Sequence, residues 1–122
     1  MLDHNLLFSD AQVIADDAWC TNALHIGKTP AEGVWVEVVF TAIADGVKTC
    51  KATVYGSDTD AGWAITKPEL GAQHTLQAAI GRQWFKFQSK QEWAKVYYEC
   101  SAAGAFTITC GIVSGPGQDA LV

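Results

Sequence analysis

Two runs near the end of the chain alternate in character at every second position, and this alternation limits the possible folds more than any other feature. In the runs 93–100 (WAKVYYEC) and 106–113 (FTITCGIV), one alternate set is apolar and the other is mixed. Successive side chains of a β-strand point to opposite faces, so a period of two is typical of strands buried on one face. The sequence therefore predicts two strands here.

The residues between these runs, Ala102-Ala103-Gly104, predict a hairpin. A three-residue loop keeps both apolar sets on one face of a sheet, and its third residue takes the left-handed backbone region where glycine is least costly. Gly104 occupies that position. The expected cross-strand pairs are Cys100–Phe106, Tyr98–Ile108 and Val96–Cys110.

The middle of the chain repeats this design. The runs Val34–Ile43 and Val47–Tyr55 alternate in the same way around Ala44-Asp45-Gly46. A two-residue turn at Asp45-Gly46 would shift the register by one residue and turn the apolar set to the polar face, so the sequence favours a three-residue loop. The expected pairs are Phe40–Cys50, Val38–Ala52 and Val36–Val54.

The remaining segments predict shorter strands and loops. Weak strand runs lie near Gln12–Ala15 and Ala23–Ile26. The run His74–Ile80 fits a strand or a short turn of helix, and we favour the strand. The run 84–88 places Phe85 and Phe87 on one face. We find no helix of standard length in the pattern. Many short strands separated by turns favour an all-β, antiparallel, jelly-roll-like β-sandwich. With 122 residues this is a single domain over 1–122, with residues 1–10 as an N-terminal arm and 115–122 as a loose or partner-docked tail.

Charge and cysteine spacing narrow the classes of function. The net charge of −5 argues against direct nucleic-acid binding, which usually needs a basic surface, and no window is apolar enough for a membrane span. The four cysteines form no CxxC motif, so a zinc site is not expected. In the predicted hairpin, Cys100 and Cys110 would lie about 13 Å apart, which is too far for a disulfide.

No group of residues predicts catalysis. His4, His25 and His74 lie far in sequence from one another and from a recognisable nucleophile motif. The acidic pairs Asp16-Asp17 and Asp58/Asp60 read as solvated loop residues. We therefore expect no catalytic site, no metal and no cofactor.

Tryptophan is abundant, with five residues in the chain. Trp35, Trp84 and Trp93 fall on the face opposite the apolar set of their strands. Outward aromatic side chains can form a protein interface, a second buried layer or a sugar-binding platform. A carbohydrate-binding or adhesin module is therefore the alternative to the structural function considered next.

Two stretches resemble the capsid cement (decoration) proteins of tailed phages, of the Bordetella-phage type. The opening LLFSDAQVIADDAWCTNALHIG is similar to that family's leading FSDAQ segment and its short Thr-Asn strand ending in glycine. The closing KVYYECSAAGAFTITCGIV is similar to its final hairpin, and VWVEVVFTAIADGVKTCKATVYGSDTDAGW fits its central hairpin. The order of elements matches over nearly the whole chain.

The resemblance implies a structural virion protein without catalytic activity. It would be made in the host cytoplasm, bind the outer surface of an icosahedral head and bridge major capsid proteins. It would also associate with itself as a homo-dimer or trimer. The side chains expected at interfaces are Leu6, Leu7, Phe8 and Asp10 of the arm and the outward Trp35, Trp84 and Trp93.

Overall fold

The chain forms nine β-strands within the residues that the structure describes. This computed structural model describes residues 7–14, 17–27, 33–43, 50–64, 73–76, 81–88, 91–100 and 106–113. No helix occurs in those residues. The strands are β1 (Leu7–Ile14), β2 (Ala18–Trp19), β3 (Leu24–His25), β4 (Val34–Ile43), β5 (Cys50–Ser57), β6 (His74–Leu76), β7 (Gly81–Phe87), β8 (Trp93–Cys100) and β9 (Phe106–Val113).

Two antiparallel sheets pack face to face. Sheet I has the order β1-β9-β4-β7, and sheet II has the order β2-β8-β5-β6 with β3 also paired to β8. The chain crosses repeatedly between the sheets, so strands adjacent in sequence are often in different sheets. The predicted all-β, antiparallel sandwich is confirmed.

The strand pairs are nested, which is the pattern of a jelly roll. β5 pairs with β6, β4 with β7, β2 and β3 with β8, and β1 with β9. This is the arrangement of one long antiparallel ribbon rolled up on itself. The β4–β9 and β5–β8 pairs then join neighbouring turns of the roll into two sheets.

Both predicted hairpins are wrong. β8 and β9 lie in different sheets, and so do β4 and β5. Val96 lies opposite Val54 rather than Cys110, and Phe40 lies opposite Ile108 rather than Cys50. Alternation identifies which side chains of a strand point inward, but it does not identify the strand that pairs with it. The inward faces of both sheets meet in the same core, so an apolar face fits equally well in either sheet. The predicted loops themselves lie outside the described residues.

The predicted inward faces are confirmed. Fifteen side chains from the alternate apolar sets of the five long runs lie in the core, and none of them is more than 4% exposed. They are Val36, Val38, Phe40, Cys50, Ala52, Val54, Phe85, Phe87, Ala94, Val96, Tyr98, Phe106, Ile108, Cys110 and Ile112. Val34, at the start of its run, is only partly buried against the core.

The N-terminal segment is a strand from Leu7 onward, which corrects the prediction of an arm over 1–10. β1 forms the edge of sheet I and has two register irregularities against β9. At the second, Ala11 adopts a positive φ of 50° and donates its backbone N–H to Thr109 Oγ1 at 3.0 Å. These bulges let consecutive residues Phe8 and Ser9 both be buried.

A ring stack joins the edge strand β6 of sheet II to the edge strand β7 of sheet I. His74 on β6 lies opposite Ala52 in sheet II, and its ring stacks on Phe85 of sheet I with centroids 4.4 Å apart. Desolvation lowers the pKa of His74, partly offset by a hydrogen bond to the backbone of Lys86. The neutral imidazole therefore acts here as an aromatic contact between the two edges.

Replacing Gly33 with alanine should destabilise the domain by about 2–4 kcal/mol. Gly33 has a φ of 82°, and an added Cβ would lie 2.7 Å from the carbonyl oxygen of Phe87. Gly27→Ala is the matched control, because Gly27 has a similar φ of 63° with nothing within 4 Å of its Cβ position. The control should cost only about 1 kcal/mol. Urea unfolding measures both values, and equal losses would show that the Phe87 contact is unimportant.

Candidate functional site: aromatic side chains on the outer faces

The three predicted outward tryptophans lie on two different faces of the sandwich. Trp35 and Trp84 lie on the outer face of sheet I, and Trp93 lies on the outer face of sheet II. All three are half-buried. The structure therefore does not combine them into one surface, but gives each sheet an aromatic outer face.

On sheet I, charged side chains fix the positions of the indoles. Trp84 Nε1 donates to Glu37 Oε2 at 3.2 Å, and Arg82 lies 3.6 Å from Glu37 Oε1. Glu37 is only 3% exposed although it lies on the outer face. Lys86 Nζ lies 4.9 Å from the centre of the Trp35 ring. These contacts make the face a defined surface of aromatic and cationic groups.

On sheet II, Trp93 lies beside the end of β3. The His25 ring stacks on Trp93 with centroids 4.7 Å apart, and His25 Nε2 lies 3.0 Å from Glu92 Oε2. Both members of the His25–Glu92 pair are more than half exposed, so the pair contributes little to stability. It does hold the imidazole flat against the indole.

A larger aromatic group on the outer face of sheet II was not predicted from the sequence. We call it the Trp19 cluster, and it consists of Trp19, Tyr55, Trp63, Tyr97 and Lys95. The Trp19 ring centre lies 5.4 Å from that of Tyr55, 6.1 Å from that of Trp63 and 4.9 Å from that of Tyr97. Three strands, β2, β5 and β8, and the segment after β5 therefore meet at this point.

Polar contacts complete the Trp19 cluster. Trp63 Nε1 donates to Asp60 Oδ1 at 2.9 Å, a bond within the segment after β5 that orients the indole. Lys95 Nζ lies 5.8 Å from the Trp19 ring centre and 6.0 Å from that of Trp63.

The outward positions of Tyr55, Lys95 and Tyr97 follow from strand alternation. Trp19 and Trp63 could not be placed in this way, because one lies in a two-residue strand and the other outside any strand.

The predicted interface residues of the N-terminal segment differ in exposure. Leu7 and Phe8 are 3% and 0% exposed, and Phe8 belongs to the core cluster. Asp10 is exposed on β1, and Leu6 lies outside the described residues. The prediction that Leu7 and Phe8 meet a partner is therefore corrected, since both are already covered within the monomer.

A buried polar network connects the two sheets inside the core. Ser9 Oγ donates to Gln12 Oε1 at 2.7 Å and lies 2.9 Å from the Tyr98 hydroxyl. A serine hydroxyl has one hydrogen, so Tyr98 is the donor to Ser9. The thiol of Cys110 also bonds to Tyr98, and Gln12 Nε2 donates to the Trp19 carbonyl at 3.0 Å. The network ties β1 and β9 of sheet I to β2 and β8 of sheet II.

Tyr98→Phe should destabilise the domain by about 1–2 kcal/mol, because it leaves the buried Ser9 oxygen without its donor. Adding Ser9→Ala should cost less in the Tyr98→Phe background than in the wild type, since the partner hydroxyl is then already absent. The expected coupling is about 0.5–1.5 kcal/mol. Urea unfolding of the two single variants and the double variant measures it, and strictly additive losses would contradict the contact.

The core cysteines should be unreactive in the folded protein. Burial raises the pKa of the Cys20 thiol to about 12 and that of Cys110 further still, and Cys50 is fully buried. The thiolate is the reactive form, so a disulfide reagent at pH 8 should label at most one of the four thiols of the native chain. All four should react in denaturant. Rapid labelling of two or more native thiols would contradict this packing.

The residues described lack both a metal-ligand group and a membrane-spanning helix. They contain no group of three or more histidine, cysteine, aspartate or glutamate side chains that could hold a metal ion. They also contain no helix long and apolar enough to cross a membrane. The candidate site is the pair of aromatic outer faces, because they bring several indole rings together with charged side chains.

Comparison with known proteins adds no family assignment. Neither the protein-family models nor the curated proteins include a match to this sequence.

Proposed function

We propose that this protein is a capsid cement protein, which binds the outer surface of an icosahedral phage head and bridges major capsid proteins. The observation that carries the proposal is that both outer faces of the sandwich present half-buried tryptophans held by polar or charged side chains. Trp35 and Trp84 lie on one face, and Trp93 lies on the other. A bridging protein needs contact surfaces on two sides.

Jelly-roll geometry suits this function. The two sheets share one core, so their outer faces point in opposite directions and are held rigidly relative to each other. A rigid two-sided block can hold neighbouring capsid subunits at a fixed separation. The subunits would otherwise be pushed apart by packaged DNA, and binding to the assembled shell stabilises it by mass action.

The composition of the faces fits a protein partner. Tryptophan, tyrosine and arginine are the residues most enriched among those that dominate the energy of protein interfaces. Half-buried rings are partly fixed before binding, which reduces the entropy lost on association. Many copies on a symmetric lattice would add avidity, so each single contact can be weak.

The other parts of the proposal concern self-association, location and charge. A homo-dimer or trimer would place two or three such blocks at one capsid junction. The acidic net charge of −5 suits a location outside the shell, away from the packaged DNA, because it disfavours phosphate contacts. Asp10, exposed on the edge strand β1, remains a proposed contact, as does Leu6.

Mixing the purified protein with undecorated phage heads tests the proposal. We expect regular density on the outer surface at junctions between capsid proteins by electron cryomicroscopy. Trp35→Ala and Trp93→Ala should each weaken binding roughly 10- to 30-fold, as loss of an interface anchor does. Asp58→Asn, an exposed loop change, is the control and should bind normally.

Two results would contradict the proposal. One is a folded protein that binds no undecorated head in a panel that covers different tailed phages. The other is binding that both tryptophan variants leave unchanged, which would show that the outer faces are not the contact surfaces.

A further inference from the structure

The Trp19 cluster already surrounds a cation that belongs to the chain itself. The ring centres of Trp19 and Trp63 are 6.1 Å apart, and Lys95 Nζ lies 5.8 and 6.0 Å from them. The three points form a nearly equilateral triangle, so the ammonium group lies beside both indoles. Attraction between the cation and the ring faces holds it there.

The contacts of Lys95 with the two rings do not use its hydrogen-bonding capacity. An ammonium group has three N–H donors, and aromatic faces are poor substitutes for oxygen acceptors. Lys95 is half-buried, so it is reachable from solvent but has lost part of its hydration. Since a cation is already in place, the cluster is unsuited to a cationic ligand and suited to an anionic one.

Two further groups define the ligand more closely. The half-buried indole of Trp63 offers an aromatic surface beside the cation, and the C–H groups on one face of a pyranose ring carry the partial positive charge that such a surface attracts. Asp60 is exposed and uses Oδ1 for Trp63 Nε1. A carboxylate has more acceptor positions than that one bond uses, so Asp60 can also accept from sugar hydroxyls.

We propose that the Trp19 cluster binds a pyranose that carries a carboxylate, such as a uronic-acid unit of an acidic polysaccharide. The sugar ring stacks on Trp63, its carboxylate pairs with Lys95, and its hydroxyls donate to Asp60. The inference goes beyond the capsid function and does not depend on it, because the isolated protein should bind the sugar.

A saccharide fits this cluster better than a protein surface does. The centres of protein interfaces are depleted of charged groups, whereas here a lysine contacts two rings and an aspartate bonds to one indole N–H. Small-ligand sites typically combine apolar walls with a few placed polar groups. The cluster has that composition within the span of three strands.

Titration with oligogalacturonate, compared with a neutral galactose oligomer of equal length, tests the proposal. We expect tryptophan fluorescence and saturation-transfer NMR to show binding of the acidic oligomer with a Kd on the order of 1 mM. The neutral oligomer should bind at least about tenfold more weakly, and high salt should weaken the acidic complex because its ion pair is partly exposed.

Variants locate the site. Trp63→Ala and Lys95→Gln should each lower the affinity for the acidic oligomer about tenfold, a change of ~1.4 kcal/mol. Lys95→Arg keeps the charge and should retain most of the binding. Val13→Ala, at an exposed position on β1 of the other sheet, is the control and should bind like the wild type. Thermal unfolding of every variant checks that the domain remains folded.

Several outcomes would overturn the proposal. Absence of binding by the folded wild type up to saturating sugar would do so. Equal affinity for the acidic and neutral oligomers would remove the role of the carboxylate, and unchanged affinity of Lys95→Gln would remove that of Lys95. If Trp63→Ala abolished attachment to phage heads while no sugar bound, the cluster would be a protein interface.

Discussion

The structure depends on the contact between the inner faces of two antiparallel sheets. Each sheet alone would leave one apolar face in water, and neither would be stable without the other. Nested pairing brings these faces together, because each successive pair of the rolled ribbon falls on the alternate sheet. The core is then filled by side chains from both sheets, including the rings of Phe8, Phe40, Phe87 and Phe106. The aromatic pairs Phe8–Phe87 and Phe40–Phe106 add specific contacts.

Buried polar groups restrict the strand register that this core allows. The bonds among Ser9, Gln12 and Tyr98 can form only when β1 lies in its observed register. Cys20 adds a similar constraint, since the backbone N–H of Val96 donates to its sulfur at 3.2 Å. A slipped β1 or β2 would leave hydroxyl, amide and thiol groups buried without partners, which costs more than their bonds contribute. The network therefore fixes how the N-terminal strands meet β8 and β9.

The same rigid core leaves two outer faces with different chemistry. Sheet I presents Trp35 and Trp84 with Lys86, Arg82 and the buried Glu37. Sheet II presents a cluster of rings around Lys95, together with the separate His25–Trp93 stack. Both faces belong to sheets that share one core, but a side chain on one outer face lies far from those on the other. A single substitution on one outer face therefore leaves the side-chain contacts of the other face in place.

Strand alternation alone determined which side chains turn inward, because the backbone geometry of a strand sends neighbours to opposite faces whatever the strand pairs with. It placed Val36, Val54, Val96 and Ile108 in the core and Trp35, Trp84 and Trp93 outside. Only the tertiary structure decided which strands pair, because a strand with an apolar face can bury it in the same core from either sheet. It also decided that Trp19 and Trp63 meet Lys95, because these residues lie far apart in sequence and come together only where β2 and the segment after β5 cross the face of sheet II.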